Sequence, residues 1–282
     1  MSDIQSLNNQ HFNKTAKDYD SKPQADEMTQ RASKVIIEEF VASTSEEHVK
    51  NASVLEFGCG TGLCMFQVAR KVKQALGVDA SEGMLQHLSH KLETREENAD
   101  IRGKIKTVNH LITEDVALPE PEFSQYLSGP DAGFDMIYSS FVMHHIEDVQ
   151  GIVNTLSGKL LKKGGWLIVT DFQGSHKSHG HGDGHTHGDG YTHRHNHSQR
   201  HGGDHKECSK TKDIQGQFLD ADGKPVELVP HLNGFTLEGF AGTFKKAGLV
   251  DVSAKQAFGM NITMHGNNEA WTDVLVVKGR LA

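Results

Sequence analysis

The 282-residue sequence lacks several features that would assign it to common classes of protein. Its three cysteines, Cys59, Cys64 and Cys208, are spaced neither as a disulfide framework nor as a metal site, which suits a reducing compartment. No apolar run reaches the roughly 18 residues that a membrane-spanning helix needs. The net charge is −8 and no Lys/Arg cluster stands out, so we expect no nucleic-acid partner.

The amino-terminal residues also lack a targeting signal. The stretch MSDIQSLNNQ has an early acid, Asp3, and no apolar segment of the secretory type. It is not rich in arginine either, as an organelle transit peptide would be. We therefore expect a cytoplasmic protein without a membrane segment, with nuclear presence left open.

Short apolar runs alternate with segments of helical periodicity along most of the chain. A helical lead-in is predicted over 11–43, with helices over 63–74, 82–97, 148–161 and 236–247. Buried strands are predicted over 53–57, 75–79, 105–112, 134–139, 166–172, 250–258 and 272–279. This alternation predicts an α/β fold with a Rossmann-like, seven-stranded, mostly parallel sheet, helices on both faces and an antiparallel last strand.

The strongest motif is a glycine-rich turn between the first strand and its helix, Glu56-Phe-Gly-Cys-Gly-Thr-Gly62. Glycines permit positive φ and let a ligand lie against the backbone, while the following helix offers free N–H groups. Dinucleotide sites use G-x-G-x-x-G, whereas this turn is G-x-G-x-G with Leu63 in the sixth position. Glu56 would repel a pyrophosphate but attract an ammonium group.

A second acidic residue, Asp79, ends the second predicted strand. A carboxylate at this place accepts hydrogen bonds from ribose hydroxyls in nucleotide sites of related architecture. The structural alternative is a tight glycine turn followed by a surface aspartate. The combination of the turn with Glu56 before it and Asp79 after it favours a nucleoside ligand.

These motifs resemble the class I S-adenosylmethionine-dependent methyltransferases, especially the branch of ubiquinone/menaquinone-biosynthesis and small-molecule enzymes. The resemblance covers nearly all of the chain outside 174–205. Besides the glycine turn it includes Gly77-Val-Asp-Ala-Ser81, the segments 134–148 and 160–171, and the amino-terminal segment 11–20, which resembles F-x(3)-A-x(2)-Y-D.

The resemblance implies S-adenosylmethionine as cofactor and a role for each matching position. Glu56 and the turn would hold the methionine end, Asp79 the ribose, and Met84 and Asp115 the adenine, with Tyr19 as a lid. Asp115 could equally be an exposed loop acid, and Tyr19 could simply pack. The implied cofactor-binding residues are Tyr19, Glu56, Gly58, Cys59, Gly60, Gly62, Asp79, Ala80, Met84, Asp115, Val116, Ser139 and Phe141.

The methyl acceptor is less well specified by the sequence. His144 and His145 are candidates for a general base if the acceptor is a hydroxyl, or they line the pocket or position the substrate. The fourth strand ends in Ser139-Ser-Phe-Val, not in the Asn/Asp-Pro-Pro-Tyr/Phe tetrapeptide used for planar amino nitrogens. We therefore expect a small-molecule acceptor, with a protein side chain as the second choice.

Residues 174–205 form a histidine- and glycine-rich insertion in an otherwise single domain spanning 1–282. Its ten histidines and eight glycines offer almost nothing to a core, so this segment is predicted to be disordered. Neighbouring imidazoles could chelate Zn²⁺, Ni²⁺ or Cu²⁺, either adventitiously or as a metal- or pH-responsive lid. The candidate ligands are His179, His181, His185, His187, His193, His195 and His197.

Two other classes of function compete with methyl transfer to a small molecule or protein. The histidine-rich insertion allows a metal-buffering or metal-sensing protein built on a methyltransferase scaffold. An NAD(P)-dependent oxidoreductase is disfavoured by the glycine spacing and by Glu56.

Overall fold

The computed structural model describes residues 3–22, 24–129, 132–174, 229–231, 233–263 and 269–282. The predicted metal-binding histidines of the insertion lie outside these ranges. The described strands are β1 (Ser53–Phe57), β2 (Gln74–Asp79), β3 (Ile105–Asn109), β4 (Phe134–Ser140), β5 (Leu161–Phe172), β6 (Val250–Thr263) and β7 (Glu269–Arg280). The described helices are α1 (Asp3–Tyr19), α2 (Ala25–Ser43), α3 (Glu46–Asn51), α4 (Leu63–Ala69), α5 (Glu82–Thr94), α6 (Val149–Thr155) and α7 (Leu237–Lys246).

The seven strands form one sheet in the order β3-β2-β1-β4-β5-β7-β6. Strands β1 to β5 are parallel to one another, and β7 runs antiparallel between β5 and β6. The predicted Rossmann-like fold with an antiparallel last strand is confirmed. The strand order reverses between β1 and β4, and in such sheets ligands bind at the carboxyl ends of the strands beside that switch point.

The central strands β1 and β4 are largely buried on both faces, which explains why they read as nearly continuous apolar runs. Val54 and Leu55 of β1 are both fully buried, although they point to opposite faces. One core cluster includes Leu55, Ile137 and Leu167, a second one, on the opposite face, includes Val54, and a smaller third one includes Phe172. Burial on both faces holds the carboxyl ends of these strands in place.

The amino-terminal lead-in consists of two helices, where the sequence predicted one helical segment over 11–43. The break comes at Gln24, whose φ of 59° is left-handed and cannot continue a right-handed helix. Helix α2 buries Ala32, Ile36 and Phe40, which are spaced by four residues; Ile36 and Phe40 join the cluster that contains Val54, and Ala32 joins the smaller third cluster. Helix α1 starts at Asp3 and is far more polar, so its periodicity was hard to see.

The two last strands are longer than predicted, because β6 and β7 continue as a paired ribbon beyond the part of β7 that contacts β5. The β5–β7 pairing ends at Phe172 and Val274, whereas the β6–β7 pairing runs on to Thr263 and Glu269. None of the helices within the described ranges is both long and apolar enough to cross a membrane.

Candidate functional site

A cleft opens at the carboxyl ends of β1, β2 and β4 and is covered by α1. It encloses about 770 Å³ of empty space, part of it open to solvent. The lining residues are Gln5, Asn8, Asn9, Phe12, Tyr19, Phe57, Gly58, Gly60, Val78, Asp79, Ala80, Ser81, Met84, His110, Leu111, Ile112, Ser140, Phe141, Val142, His145 and Ile146.

The glycine turn between β1 and α4 forms one wall of the cleft. Gly58, Gly60 and Gly62 have φ values of 72°, 51° and 87°, all in the left-handed region that disfavours residues with a Cβ. A Cβ on Gly58 would lie 2.5 Å from a methyl carbon of Val142, whereas a Cβ on Gly60 would meet nothing within 4 Å. Gly60 therefore leaves open, at the cleft wall, the space that a side chain would fill.

Asp79 joins the end of β2 to this turn. Its Oδ2 accepts a hydrogen bond of 2.8 Å from the N–H of Gly60, and its Oδ1 accepts one of 2.8 Å from the N–H of Ser81. Burial raises the pKa of Asp79, although the two N–H donors partly oppose that rise. A carboxylate fixed in this way has lone pairs left to accept hydroxyl donors from a ligand in the cleft.

Glu56 lies beneath the turn and is almost completely buried. Burial raises its pKa well above the ordinary value, while the hydroxyl of Tyr138, which donates to Oε2 at 3.1 Å, acts in the opposite direction. The negative charge of Asp79 adds to the rise. When they are ionised, these two neighbouring carboxylates produce a negative potential that would attract a cationic group.

Helix α1 is tied to the cleft by polar side chains. Asn13 Oδ1 accepts from the hydroxyl of Ser81 at 2.9 Å and from the N–H of Gly83 at 2.8 Å, at the start of α5. Just after α1, Asp20 accepts from the hydroxyl of Thr61 and from the buried ammonium of Lys91. These contacts hold α1 across the mouth of the cleft.

Tyr19, the last residue of α1, lies inside the covered region. Burial, together with the charges of Asp79 and Asp20, raises its pKa to about 12. The phenol is therefore neutral at physiological pH and can serve as a hydrogen-bonding or packing group over a ligand, but not as an anion.

The β4 end brings the two predicted histidines to different environments. His145 lines the cleft, where its ring meets Phe12 edge-on at 5.1 Å between centroids. His144 is buried, and its Nδ1 lies 2.7 Å from Oδ1 of Asp171, a fully buried carboxylate. Since an ionised carboxylate only accepts, Nδ1 of His144 must carry the proton. His144 thus supports the wall, while His145 faces the cleft.

The structure brings most of the predicted cofactor residues together. Eight of the residues predicted for cofactor or catalysis line the cleft: Tyr19, Gly58, Gly60, Asp79, Ala80, Met84, Phe141 and His145. Five others lie directly behind the lining, in the strands or in the turns that carry it: Glu56, Cys59, Gly62, Ser139 and His144. Ser139, for example, donates to the carbonyl of Phe57 at 2.9 Å.

Asp115 and Val116, predicted to recognise adenine, are not among the lining residues. The N–H of Val116 is donated to Thr113 Oγ1, its carbonyl accepts from His110 Nε2, and its side chain is 47% exposed. The strand before them ends at Asn109, and the cleft is lined by the residues that follow it at once, His110, Leu111 and Ile112. The strand was predicted to run to residue 112, and the adenine role of Asp115 and Val116 stays a prediction from the resemblance.

Sequence reasoning missed the face that α1 presents to the cleft. Gln5, Asn8, Asn9 and Phe12 line it, and their spacing is that of one helical face. Helical periodicity is the signal that could have found them, but a search for apolar periodicity overlooks three carboxamides. Within the described ranges no group of His, Cys, Asp and Glu side chains is arranged to hold a metal ion.

Comparison with known proteins places these features in a family. A family model described as "Methyltransferase domain" matches residues 28–254. An uncharacterized methyltransferase of Schizosaccharomyces pombe is 34% identical over 130 residues, 46% of this chain and 42% of that protein. A ubiquinone biosynthesis O-methyltransferase of Pelagibacter ubique is 28% identical over 144 residues, 51% of this chain and 52% of that protein. The chain thus spans about half the length of these curated relatives.

A solved structure shares the architecture over the whole chain. The structure described as a DhpI-SAM-HEP complex superposes with a TM-score of 0.53 and 12% identity, covering 99% of both chains. At this level of identity the likeness shows a common fold.

Proposed function

We propose, from the premise that this chain belongs to the methyltransferase family, that it is an S-adenosylmethionine-dependent enzyme that methylates a small molecule. The observation that carries the proposal is the pairing of Asp79 with Gly60, which puts a fixed carboxylate beside an open glycine in one cleft. This is the arrangement that a nucleoside joined to an amino-acid chain requires.

The residues present fit that cofactor. Asp79 would accept from the ribose hydroxyls, and Met84, Leu111 and Ile112 offer an apolar seat for the adenine at the same end of the cleft. Gly58 and Gly60 would let the methionine portion lie against the backbone. The carboxylate of Glu56, whose pKa is raised by burial, would attract its ammonium group once ionised.

The chain's part in the reaction is alignment and the exclusion of water. Bound S-adenosylmethionine would supply a methyl group already activated on a sulfonium. Phe141 and Val142, at the β4 end, and α1, across the mouth, would keep the acceptor in line with that group and limit access of water. His145 is the predicted histidine that faces the cleft, so we assign it to contact with the acceptor, by positioning or as a base.

The enclosure of the cleft favours a small acceptor over a protein side chain. Helix α1 is fastened to α5 through Asn13 and to the glycine turn through Asp20, which leaves a space of limited size. A nucleic-acid substrate would require Lys or Arg side chains to bind its phosphates, and the described lining residues include neither. The free buried thiols of Cys59 and Cys64 agree with action in the reducing cytoplasm.

A labelled-cofactor screen tests the proposal. The protein is incubated with S-adenosylmethionine that carries an isotopically labelled methyl group. A metabolite extract is added to one sample, and a protein fraction from the same cell lysate is added to another. We expect label in the small-molecule fraction and none in the protein fraction. Label in the protein fraction alone would mean that the acceptor is a protein and not a small molecule. Absence of label from both fractions would contradict the proposed activity. An Asp79→Ala variant serves as the control for transfer that depends on this cleft.

A further inference from the structure

Helix α5 carries a lysine at a position of its buried stripe where an apolar side chain is expected. Met84, Leu88 and Lys91 follow one another at helical spacing, and all three are almost completely buried. Lysine is almost never buried to this degree unless its ammonium group is paired. Within the described ranges, the only acid at ion-pair distance from Lys91 is Asp20, the residue that follows α1.

The carboxylate of Asp20 contacts two parts of the cleft wall. Its Oδ2 accepts a hydrogen bond from the ammonium of Lys91, and its Oδ1 accepts one from the hydroxyl of Thr61, a buried residue of the glycine turn. His87 Nε2 lies 3.5 Å from the same Oδ2. Tyr19, directly before Asp20, lines the cleft. One carboxylate therefore joins the end of α1 both to the glycine turn and to α5.

The two partners of this ion pair differ in their access to water. The side chain of Lys91 is 2% exposed and that of Asp20 is 19% exposed. Burial lowers the pKa of Lys91, and the hydrogen bond and charge of Asp20 act against that shift. If the end of α1 moves away from the cleft, Asp20 enters water, but Lys91 stays buried without its carboxylate. A buried charge without a partner is strongly unfavourable, so the ion pair opposes this movement.

Stability alone does not account for a charge at this position. Replacing a buried ion pair by apolar side chains of similar volume is often neutral or even stabilising. Methionine in place of Lys91 would continue the apolar stripe of α5 beside the ring of Phe66, whose centroid lies 5.4 Å from the ammonium nitrogen. What the ion pair adds is a penalty on one movement, the separation of α1 from the cleft that it covers.

We propose that Asp20 is a positioning residue of this enzyme: through Lys91 and Thr61 it keeps α1 closed over the bound cofactor, and it thereby determines how long the cofactor stays in the cleft. This inference rests on the proposed methyltransferase function and deepens it. Loss of either hydrogen bond of Asp20 should let α1 open more often. The cofactor should then leave faster from a protein that is still folded.

The dissociation rate of S-adenosylhomocysteine tests the inference. The full-length protein is immobilised and loaded with S-adenosylhomocysteine, and dissociation is followed by surface plasmon resonance. We expect Lys91→Met to release the ligand at least about tenfold faster than the wild type, because opening no longer leaves a buried charge unpaired. Lys34→Met is the matched control, since it removes a lysine from an exposed ion pair with Glu38, and it should keep the wild-type rate.

Two changes at Thr61 separate its hydrogen bond from its packing. Thr61→Val keeps the shape of the side chain but cannot donate to Asp20, so release should be about fivefold faster or more. Thr61→Ser keeps the hydroxyl and should restore nearly the wild-type rate. Gly248→Ala, which strains the backbone at a φ of 81° outside the cleft lining, should lower stability without faster release.

Hydrogen exchange of the same variants reports where the protein opens. In Lys91→Met the amides of α1 should exchange faster, while those of α2 keep the wild-type rate. Unchanged release from Lys91→Met or Thr61→Val, equally fast release from Thr61→Ser, or faster exchange throughout the molecule would each overturn the inference. If Lys91→Met does not fold, the two Thr61 variants decide. Failure of the wild type to bind S-adenosylhomocysteine would instead contradict the proposed function.

Discussion

The carboxylate of Asp79 accepts a hydrogen bond from the backbone N–H of Gly60, and this bond of 2.8 Å fixes the glycine turn relative to the end of β2. The two residues come from the ends of adjacent parallel strands, β1 and β2. The sheet register thereby converts two sequence motifs into one binding surface. The same carboxylate also holds the start of α5 through the N–H of Ser81.

The raised pKa of Glu56 makes cofactor binding depend on pH. A ligand ammonium prefers the ionised carboxylate, so below the folded-state pKa the side chain must first release its proton. Affinity for S-adenosylmethionine should fall as the pH is lowered through that pKa, by up to about tenfold per pH unit. Calorimetric titrations from about pH 8 to about pH 5.5 in buffers of different ionisation enthalpy would measure both affinity and proton release.

Glu56→Gln is the matched variant for this dependence. It keeps a partner for the hydroxyl of Tyr138 but cannot ionise, so its affinity for S-adenosylmethionine should be lower near neutral pH and nearly constant across the pH range.

The stability of the free protein provides a second check. A raised acid pKa means that the folded state holds the proton more tightly, so wild-type stability contributed by Glu56 is greatest below the unfolded pKa and is lost as the pH rises. Equal pH profiles for wild type and variant would contradict the assignment.

Gly60→Ala should separate binding from backbone strain. The residue has φ of 51°, so alanine should lower the free energy of unfolding by about 1–2 kcal/mol. Its methyl group would stand in the open space beside the cleft, and affinity for S-adenosylmethionine should fall at least about tenfold, the equivalent of ~1.4 kcal/mol. Chemical denaturation and calorimetry measure the two effects.

Gly248 offers a matched control for this change. It also has a positive φ, 81°, and no atom within 4 Å of a built Cβ, but it follows α7 and is not part of the cleft lining. Gly248→Ala should lose similar stability and keep full affinity. If both variants bind alike, the turn at Gly60 does not contact the cofactor.

The His144–Asp171 pair should prove structural and His145 functional. Asp171 accepts from Nδ1 and from the N–H of His144, and also from the N–H of Phe172, all without exposure to solvent. Asp171→Asn presents an NH₂ group where an acceptor is needed and should cost about 1.5–3 kcal/mol of unfolding free energy. His145→Ala removes a partly exposed ring and should lower stability by less than about 1 kcal/mol.

Thermal unfolding of both variants, with calorimetric binding of S-adenosylmethionine, distinguishes these roles. A large loss of stability in His145→Ala with none in Asp171→Asn would reverse the assignment of the two histidines. Once an acceptor is known, a pH–rate profile of His145→Ala would show whether the imidazole acts as a base. A base contributes typically 10²–10⁴-fold to the rate.

The histidine-rich insertion remains a prediction from composition. We propose to replace 176–205 by a short Gly/Ser link. This keeps Gly174, which follows β5 and whose N–H donates to the carbonyl of Phe235. We expect an almost unchanged melting temperature and cofactor affinity, and loss of Zn²⁺ or Ni²⁺ binding that in the full chain fades below about pH 6. A collapse of cofactor binding on deletion would mean that the insertion is part of the site wall.

The sequence predicted what is encoded locally and missed what long-range contacts create. The glycine turn and Asp79 were identified because a strand, a turn and a following helix are contiguous in the chain. The hydrogen bond between Asn13 and Ser81 joins residues far apart in sequence, and no local sequence pattern predicts it. For the same reason the position of α1 over the cleft, and with it Asn8, became visible only when the helix packed.

The most direct test of the account is a calorimetric comparison of S-adenosylmethionine with NADH on wild type, Asp79→Ala and the exposed control Asp100→Ala. We predict saturable one-to-one binding of S-adenosylmethionine to wild type and to the control, and no binding of NADH. Asp79→Ala should retain its fold by circular dichroism and lose about 1.5–3 kcal/mol of binding free energy, or roughly 10- to 150-fold in affinity. Binding of NADH as tight as that of S-adenosylmethionine, or full affinity in Asp79→Ala, would contradict the central claim.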